Sequence, residues 1–273
     1  MKIDGFRLAS LVAALVVGCV ASLSATAQQA TPALDDIGKN KLIKVGWATW
    51  YPYVYRDPTT KGLTGASVKI VEDIAKHLDV KLEWVEEQGA TAIAGLQAGK
   101  FHIYGTPMAI TLPRARAVTY TEPFLQTRAG ILARKEDAAQ YGSWKDVVAK
   151  PGLKACLALG SNIDLWATRV FKSAELIRVK EAPMCITEVL ARKSDVMLTG
   201  MDSFPKITSE HPGIVAVKGD AWMSGKVGFL VRFGDHTMRD WLNYYFDEMK
   251  LTGDLDRLLT SHGLDASFIY RGN

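Results

Sequence analysis

Residues 68–104 read VKIVEDIAKHLDVKLEWVEEQGATAIAGLQAGKFHIY. Val68, Val71, Ile74, Ala75 and Leu78 fall at helical spacing, and Lys81–Val85 alternates as a strand. Ala90–Ala98 returns to a helical pattern that Gly99 stops, and Phe101–Tyr104 reads as a short strand. Upstream, Leu42–Gly46 is a short apolar strand, separated from the first helix by a glycine-containing turn at Gly62–Gly65. The order is βαβαβ, which predicts a parallel sheet covered by helices.

The same rhythm repeats downstream. Strands are expected at Gly130–Arg134, Lys154–Leu159, Leu176–Val179, Asp195–Thr199, Ile214–Val217 and Val227–Arg232. Helices are expected at Trp144–Val148, after Ser161-Asn162, and at Ile186–Arg192. The end of the chain is helical at Thr237–Lys250 and Asp254–Leu259, broken at Gly253. Met238, Trp241, Leu242, Tyr245 and Met249 mark a buried face there. Two successive α/β units with a returning helical end predict two lobes joined by two crossings, near Gln126–Gly130 and Ala221–Gly228. Solutes of such folds bind at the carboxyl ends of the strands, between the lobes.

Lys2 and Arg7, the apolar run from Leu8 to Leu23, and Ala25-Thr26-Ala27 make the three parts of a secretory signal peptide. Val16-Val17-Gly18-Cys19 resembles a permissive lipobox, so lipidation at Cys19 is the alternative to cleavage after Ala27. No later segment is apolar and long enough to span a bilayer. The expected layout is a signal peptide at 1–27, a linker at 28–39, a first lobe at 40–127 and 228–273, and a second at 128–227. Thirty-three basic and 29 acidic residues are interspersed without a basic run, which gives nucleic-acid binding no support. The five histidines lack ligand-like spacing, so neither a metal nor a cofactor is expected. Export permits a disulfide between Cys156 and Cys185; the alternative is two separate small apolar fillers.

Two places suit an anion. Arg114 follows Thr111 by three residues, and its planar guanidinium fork matches the two oxygens of a carboxylate. Ser161 and Asn162 follow Gly160 at a helix start, where free N–H groups and the helix dipole attract negative charge. Ordinary N-capping is compatible with that role.

IKVGWATWYPY (43–53), then GLTGASVKIVEDIAKHL, then LQAGKFHIYGTPMAITLPRARAVTYTEPF occur in order, followed by LKACLALGSN, VLARKSDVMLTG, VGFLVR and WLNYYFDEMKLTGDLDRLL. Over nearly all of residues 40–262 this resembles the amino-acid-binding, family 3 periplasmic solute-binding proteins. The most specific signature is Thr111-x-x-Arg114 followed by Tyr120-Thr121-Glu122-Pro123-Phe124. The resemblance implies a type II two-lobed fold that closes by a hinge on an amino acid or related small carboxylate. It further implies a monomer that delivers its ligand to an ABC-transporter permease. Arg114 and Thr111 would hold the α-carboxylate, and Ser161 and Asn162 would contact it from the second lobe. Trp50 would stack on the ligand. Trp47 stands where amino-acid binders often carry Asp.

Three positions depart from the pattern. Gly200 replaces the Asp that binds the ligand's ammonium, with Asp202 two residues on as a possible substitute. Ala109 replaces a Ser or Thr, leaving only backbone groups. Gly89 replaces a covering aromatic, beside Glu86, Glu87 and Gln88. The carboxylate half of the site is thus expected intact, the ammonium half altered, and the ligand bulkier or aromatic. Other functions the resemblance allows are a cyclohexadienyl dehydratase-like enzyme of the same fold and a protein that presents ligand to a sensor.

Overall fold

The computed structural model describes residues 31–272; the expected signal peptide and Cys19 lie outside them. The first elements are helix α1 (Ala33–Asn40), β1 (Leu42–Trp47), β2 (Tyr55–Arg56), β3 (Leu63–Thr64), α2 (Ala66–His77), β4 (Lys81–Glu86), α3 (Ala92–Gln97), β5 (Ile103–Ala109), α4 (Leu112–Ala115) and β6 (Val118–Tyr120). Then come β7 (Leu125–Arg134), α5 (Trp144–Ala149), β8 (Lys154–Ala158), α6 (Asn162–Val170), β9 (Glu175–Val179), α7 (Met184–Leu190), β10 (Val196–Gly200), α8 (Phe204–Glu210), β11 (Ile214–Ala216), β12 (Met223–Arg232), α9 (His236–Thr252) and α10 (Asp254–Ser261).

The sheet runs β4-β1-β5-β12-β7-β10-β8-β9. β1 lies parallel to β4 and β5, and β8 parallel to β9 and β10. These two parallel sets are the lobes. Between them β7 and β12 pair antiparallel, from Leu125↔Val227 to Ala129↔Met223. β7 continues into the second lobe against β10, and β12 into the first against β5 and β6. Each lobe therefore has its own apolar core. Val45, Val71, Ile74, Phe229 and Phe246 belong to the first; Ile131, Leu157, Phe171 and Trp222 belong to the second.

Several expectations change. Residues 33–40, expected within a linker, form a helix with Ala33 and Ile37 buried. Its first N–H donates to Asp235 Oδ2 at 2.8 Å, while Asp235 Oδ1 caps α9 by accepting from Met238 N at 3.1 Å. One carboxylate thus ties two helix starts together. β5 begins later and ends later than expected, because Phe101 is a plug instead of a strand residue. A Cβ on Gly46 would lie 2.7 Å from its ring, and one on Gly95 2.9 Å. Pro107 lies inside β5, where proline removes a ladder donor. The partner strand accommodates it with a register shift between Gly228 and Leu230. The pattern missed the β2–β3 pair and β6, both of two or three residues.

Cys156 on β8 and Cys185 on α7 are joined by a disulfide, Cα–Cα 5.5 Å, 29 residues apart. It ties the helix to the sheet inside a small apolar cluster with Leu132, Val189 and Met197. Asp195 accepts Lys154 N–H at 2.8 Å and lies 3.8 Å from Arg134. Arg134 in turn donates 2.7 Å bonds to the carbonyls of Val189 and Ser194. Asp195 is thus a structural residue of the second lobe. Among the described residues no helix is long and apolar enough to cross a membrane, and no group of three or more His, Cys, Asp or Glu could hold a metal ion.

A bridge closing a loop of this size stabilises by restricting the unfolded chain. Replacing both Cys156 and Cys185 by Ala is expected to lower the unfolding free energy by about 2–4 kcal/mol, read from urea denaturation. A loss below ~1 kcal/mol would show that the disulfide contributes little to the second lobe.

Candidate ligand-binding site

The loop after β5 carries the first half of the site. Ile110 N–H bonds Lys226 O at 2.8 Å, which fixes the exit from the sheet. Thr111 then starts α4 in extended conformation, with a proline in the first turn. Its side chain makes no cap, and its Oγ1 is buried with no hydrogen-bond partner. Arg114, one turn on, folds back. Its Nη1 donates to Ala109 O at 3.2 Å and its Nη2 crosses to Gly160 O at 3.0 Å. Tyr120 O–H donates to the same Ala109 carbonyl at 3.0 Å. Burial pushes that phenol up to about 12, with the Arg114 guanidinium opposing the rise. Ala109, which has lost the expected hydroxyl, serves through its backbone oxygen, and that oxygen orients Arg114.

The second half follows β8. Gly160 has φ +70°, a backbone conformation that costs glycine little. Its N–H donates to Asp164 Oδ2 at 3.0 Å, and Arg178 Nε holds Asp164 Oδ1 at 2.9 Å. Ser161 caps α6: its Oγ accepts from Asp164 N at 3.1 Å and donates to Ala158 O at 2.8 Å. The Ser161 hydroxyl is thereby occupied on both sides. The neighbouring Asn162, by contrast, makes no hydrogen bond with another described residue outside the helix ladder.

The loop after β1 carries Trp50, Tyr51 and Tyr53. Pro52 and Tyr53 carbonyls accept N–H bonds from Ala66 and Ser67 at the start of α2, at 3.1 and 2.9 Å. A Cβ on Gly65, whose φ is +121°, would overlap Tyr53 O, so glycine is required for this close approach. Trp50 pairs with Val54, and its ring centre lies 4.6 Å from that of Tyr53. Trp47 is 2% exposed in the core of the first lobe, with the Arg56 guanidinium 5.0 Å from its ring. Residue 47 thus packs the core.

Glu86 pairs with Arg56 at 3.0 Å. Glu87 holds Lys100 at 3.0 Å and Thr91, and those bonds, Thr91's first, keep its carboxyl below the ordinary range. Gln88 and Gly89 are exposed. These acids and Gln88 are therefore engaged within the first lobe or turned to solvent.

Asp202 behaves differently. The 3₁₀ turn after β10 (Met201–Ser203) folds its carboxylate back over Gly200. Oδ1 overlaps the point where a Cβ on Gly200 would be, so Asp202 occupies the space of the missing side chain. It is 7% exposed. It accepts Ser203 N at 3.1 Å and interacts with the side chains of Trp50 and Tyr53 across the lobe boundary. Burial raises its carboxyl to about 7 against the lowering effect of these donors. Beside it, Ser203 Oγ reaches Tyr51 O at 3.5 Å, and Lys206 Nζ lies 5.0 Å from the Tyr51 ring centre.

The structure thus gathers Arg114, Thr111, Ala109 and the Gly160–Asn162 loop in one group, and Trp50, Gly200 and Asp202 in another. It leaves Trp47 and Gln88 out of both. Tyr120 and Tyr53 escaped the sequence reading, which took their motifs as markers of the fold.

A model of the bacterial extracellular solute-binding proteins, family 3, matches residues 43–265. A probable histidine-binding protein of Campylobacter jejuni is 25% identical over 82% of this chain and 85% of its own. The L-cystine-binding protein TcyJ of Escherichia coli is 21% identical over 94% of this chain and 96% of its own. A crystal structure of the ancestral amino acid-binding protein AncCDT-1, described as a precursor of cyclohexadienyl dehydratase, superposes with a TM-score of 0.76 at 28% identity. It covers 85% of this chain and 99% of that one.

Ser161→Ala removes the cap and should lower the unfolding free energy by about 1 kcal/mol, measured by denaturant titration. An unchanged value would mean that the hydroxyl has no part in holding the loop.

Proposed function

The chain belongs to the family 3 bacterial extracellular solute-binding proteins, and we propose that it captures an amino acid or related small carboxylate for an ABC uptake transporter. The observation that carries the reading is the Arg114 guanidinium, which spans the two lobes by donating to Ala109 O and Gly160 O. Beside it stand the buried, unpartnered Thr111 hydroxyl and the free Asn162. A buried polar group without a partner calls for one. A ligand carboxylate satisfies Thr111, accepts from Asn162, and replaces carbonyl acceptors on Arg114 with a charged one, which roughly doubles the strength of each bond.

In this reading the first lobe comprises residues 40–127 and 228–273 and the second 128–227, with hinge bending in β7 and β12. Hinge closure of two lobes around a solute is the motion expected of a periplasmic binding protein. The ligand favours the closed form because it touches both lobes only there. Trp50 offers a flat apolar face to the ligand. Residues 1–27 direct export and are removed, with a lipid anchor at Cys19 as the alternative, and the mature monomer presents its closed face to the permease. Binding without turnover is the function; prephenate and arogenate should pass unchanged, and conversion of either would establish the enzymatic alternative instead.

Arg114→Ala should weaken the tightest ligand found in a calorimetric screen of amino acids and organic acids by about 100-fold or more. Unchanged affinity, or a tight neutral ligand with no carboxylate, would refute the assignment.

A further inference from the structure

The last residues of the chain lie across the ladder between β7 and β12. Phe268 and Ile269 are buried with the apolar core of the first lobe. Ile269 bridges Leu125, and Tyr270 N–H donates to Phe124 O at 3.2 Å. Asp265 Oδ1 accepts Ser267 N at 2.7 Å and shapes the 3₁₀ turn Ala266–Phe268. The chain end is thus a strap fixed to the first lobe.

Side chains of the ladder meet this strap on one face. Thr127↔Gly225 is the middle pair between Leu125↔Val227 and Ala129↔Met223. Gln126 and Arg128 flank Thr127 on β7, and side chains two apart on a strand share a face. Lys226 shares that face because it stands opposite Gln126. Gln126 and Lys226 lie on the first-lobe side of the middle pair. Gln126 Nε2 donates to Ser267 O at 2.5 Å, and Lys226 Nζ lies 4.6 Å from the Tyr270 ring centre. Arg128 lies one pair beyond the middle, toward the second lobe, opposite Ser224. Its Nη1 reaches back to Ser267 Oγ at 3.2 Å. Bonds to Ser267 hold the Asp265 carboxyl below the ordinary range, and its charge also attracts Arg128.

A bend in the ladder moves Arg128 relative to Ser267, whereas Gln126 and Lys226 move with the strap. A hydrogen bond is lost beyond roughly 3.5 Å, so the Arg128 bond exists over a narrow range of hinge angle. It exists here together with the Arg114 bond to Gly160 O at 3.0 Å that joins the lobes. We propose that Arg128 is a positioning residue for closure: through Ser267 it holds the hinge at the angle at which the lobes meet, and so raises affinity for every solute while contacting none. The proposal rests on the hinge-closing reading above and goes beyond its ligand site.

Linkage gives this role a distinct signature. The apparent affinity of a ligand that binds the closed form scales with the fraction of protein that is closed. Removing the Arg128 bond lowers that fraction, so every ligand loses the same factor. A residue that touches the solute changes affinities unequally, because its contacts differ between solutes.

Calorimetry with L-phenylalanine, L-leucine, L-arginine, L-glutamate, 3-phenylpropanoate and succinate as probes tests this. Arg128→Ala and Ser267→Ala should each weaken every probe that wild type binds by about fivefold, with one factor for all. The double variant should lose no more than about twofold beyond either single one, because the two residues share one contact. Ser267→Thr keeps the hydroxyl and should stay within about twofold of wild type. Unchanged affinity, losses that differ between probes by more than about threefold, or losses that multiply in the double variant would overturn the proposal. A lowered melting temperature with affinity kept would overturn it too, by making the contact structural alone. If wild type binds no probe, the ligand assignment is in question and small-angle scattering from ligand-free protein decides. Arg128→Ala should then have a larger radius of gyration than wild type, and equal radii would overturn the proposal.

Discussion

The antiparallel ladder between residues 125–129 and 223–227 constrains everything else in the molecule. It is where both crossings of the chain lie, and it is part of one sheet with both lobes. Sliding one strand against the other would turn every side chain to the wrong face, so the lobes can approach each other only by bending the pair. The end of the chain reinforces it. Leu125 bridges to Ile269, Gln126 Nε2 reaches Ser267 O at 2.5 Å, and Arg128 Nη1 reaches Ser267 Oγ at 3.2 Å. Lys226, on the other strand, lies 4.6 Å from the Tyr270 ring centre. A fixed register at the hinge gives the loops after β5 and β8 a reproducible meeting point, and Arg114 and Gly160 meet there.

At that meeting point the protein holds its polar groups in readiness. Side-chain bonds settle the shape of each loop: Asp164 and Ser161 on one lobe, Tyr120 and Ala109 O on the other. The Thr111 hydroxyl, by contrast, is buried without a hydrogen-bond partner. In the proposed reading, such surroundings suit a ligand that brings two acceptor oxygens, because little conformational entropy is lost when the bonds form.

The sequence made much of this legible. The βαβαβ order of residues 42–104 needed only hydrophobic period, and Thr111-x-x-Arg114 with the chemistry of guanidinium pointed to the anchor. What escaped was set by tertiary contact. Phe101 looks like a strand residue until Gly46 and Gly95 are seen to leave room for its ring. Residues 33–40 look like a linker because α1 has only two buried side chains and its docking depends on Asp235, 202 positions from Ala33. Trp47 and Trp50 are indistinguishable by type, and only packing sends one to the core and leaves the other half-buried at the lobe boundary.

Gly200 and Asp202 show most clearly why the second half of the site could not be read position by position. A side chain at the end of a strand is aimed by the strand. A side chain two residues later is aimed by the turn, and a 3₁₀ turn of three residues is enough to bring it back over the strand end. The absence of a side chain at 200 is therefore no loss of charge: it is the space that the Asp202 carboxylate occupies. The relocation has a physical consequence. The carboxylate is delivered from the turn that packs against the first lobe, where Trp50 and Tyr53 close over it. Its burial thus depends on groups from both lobes.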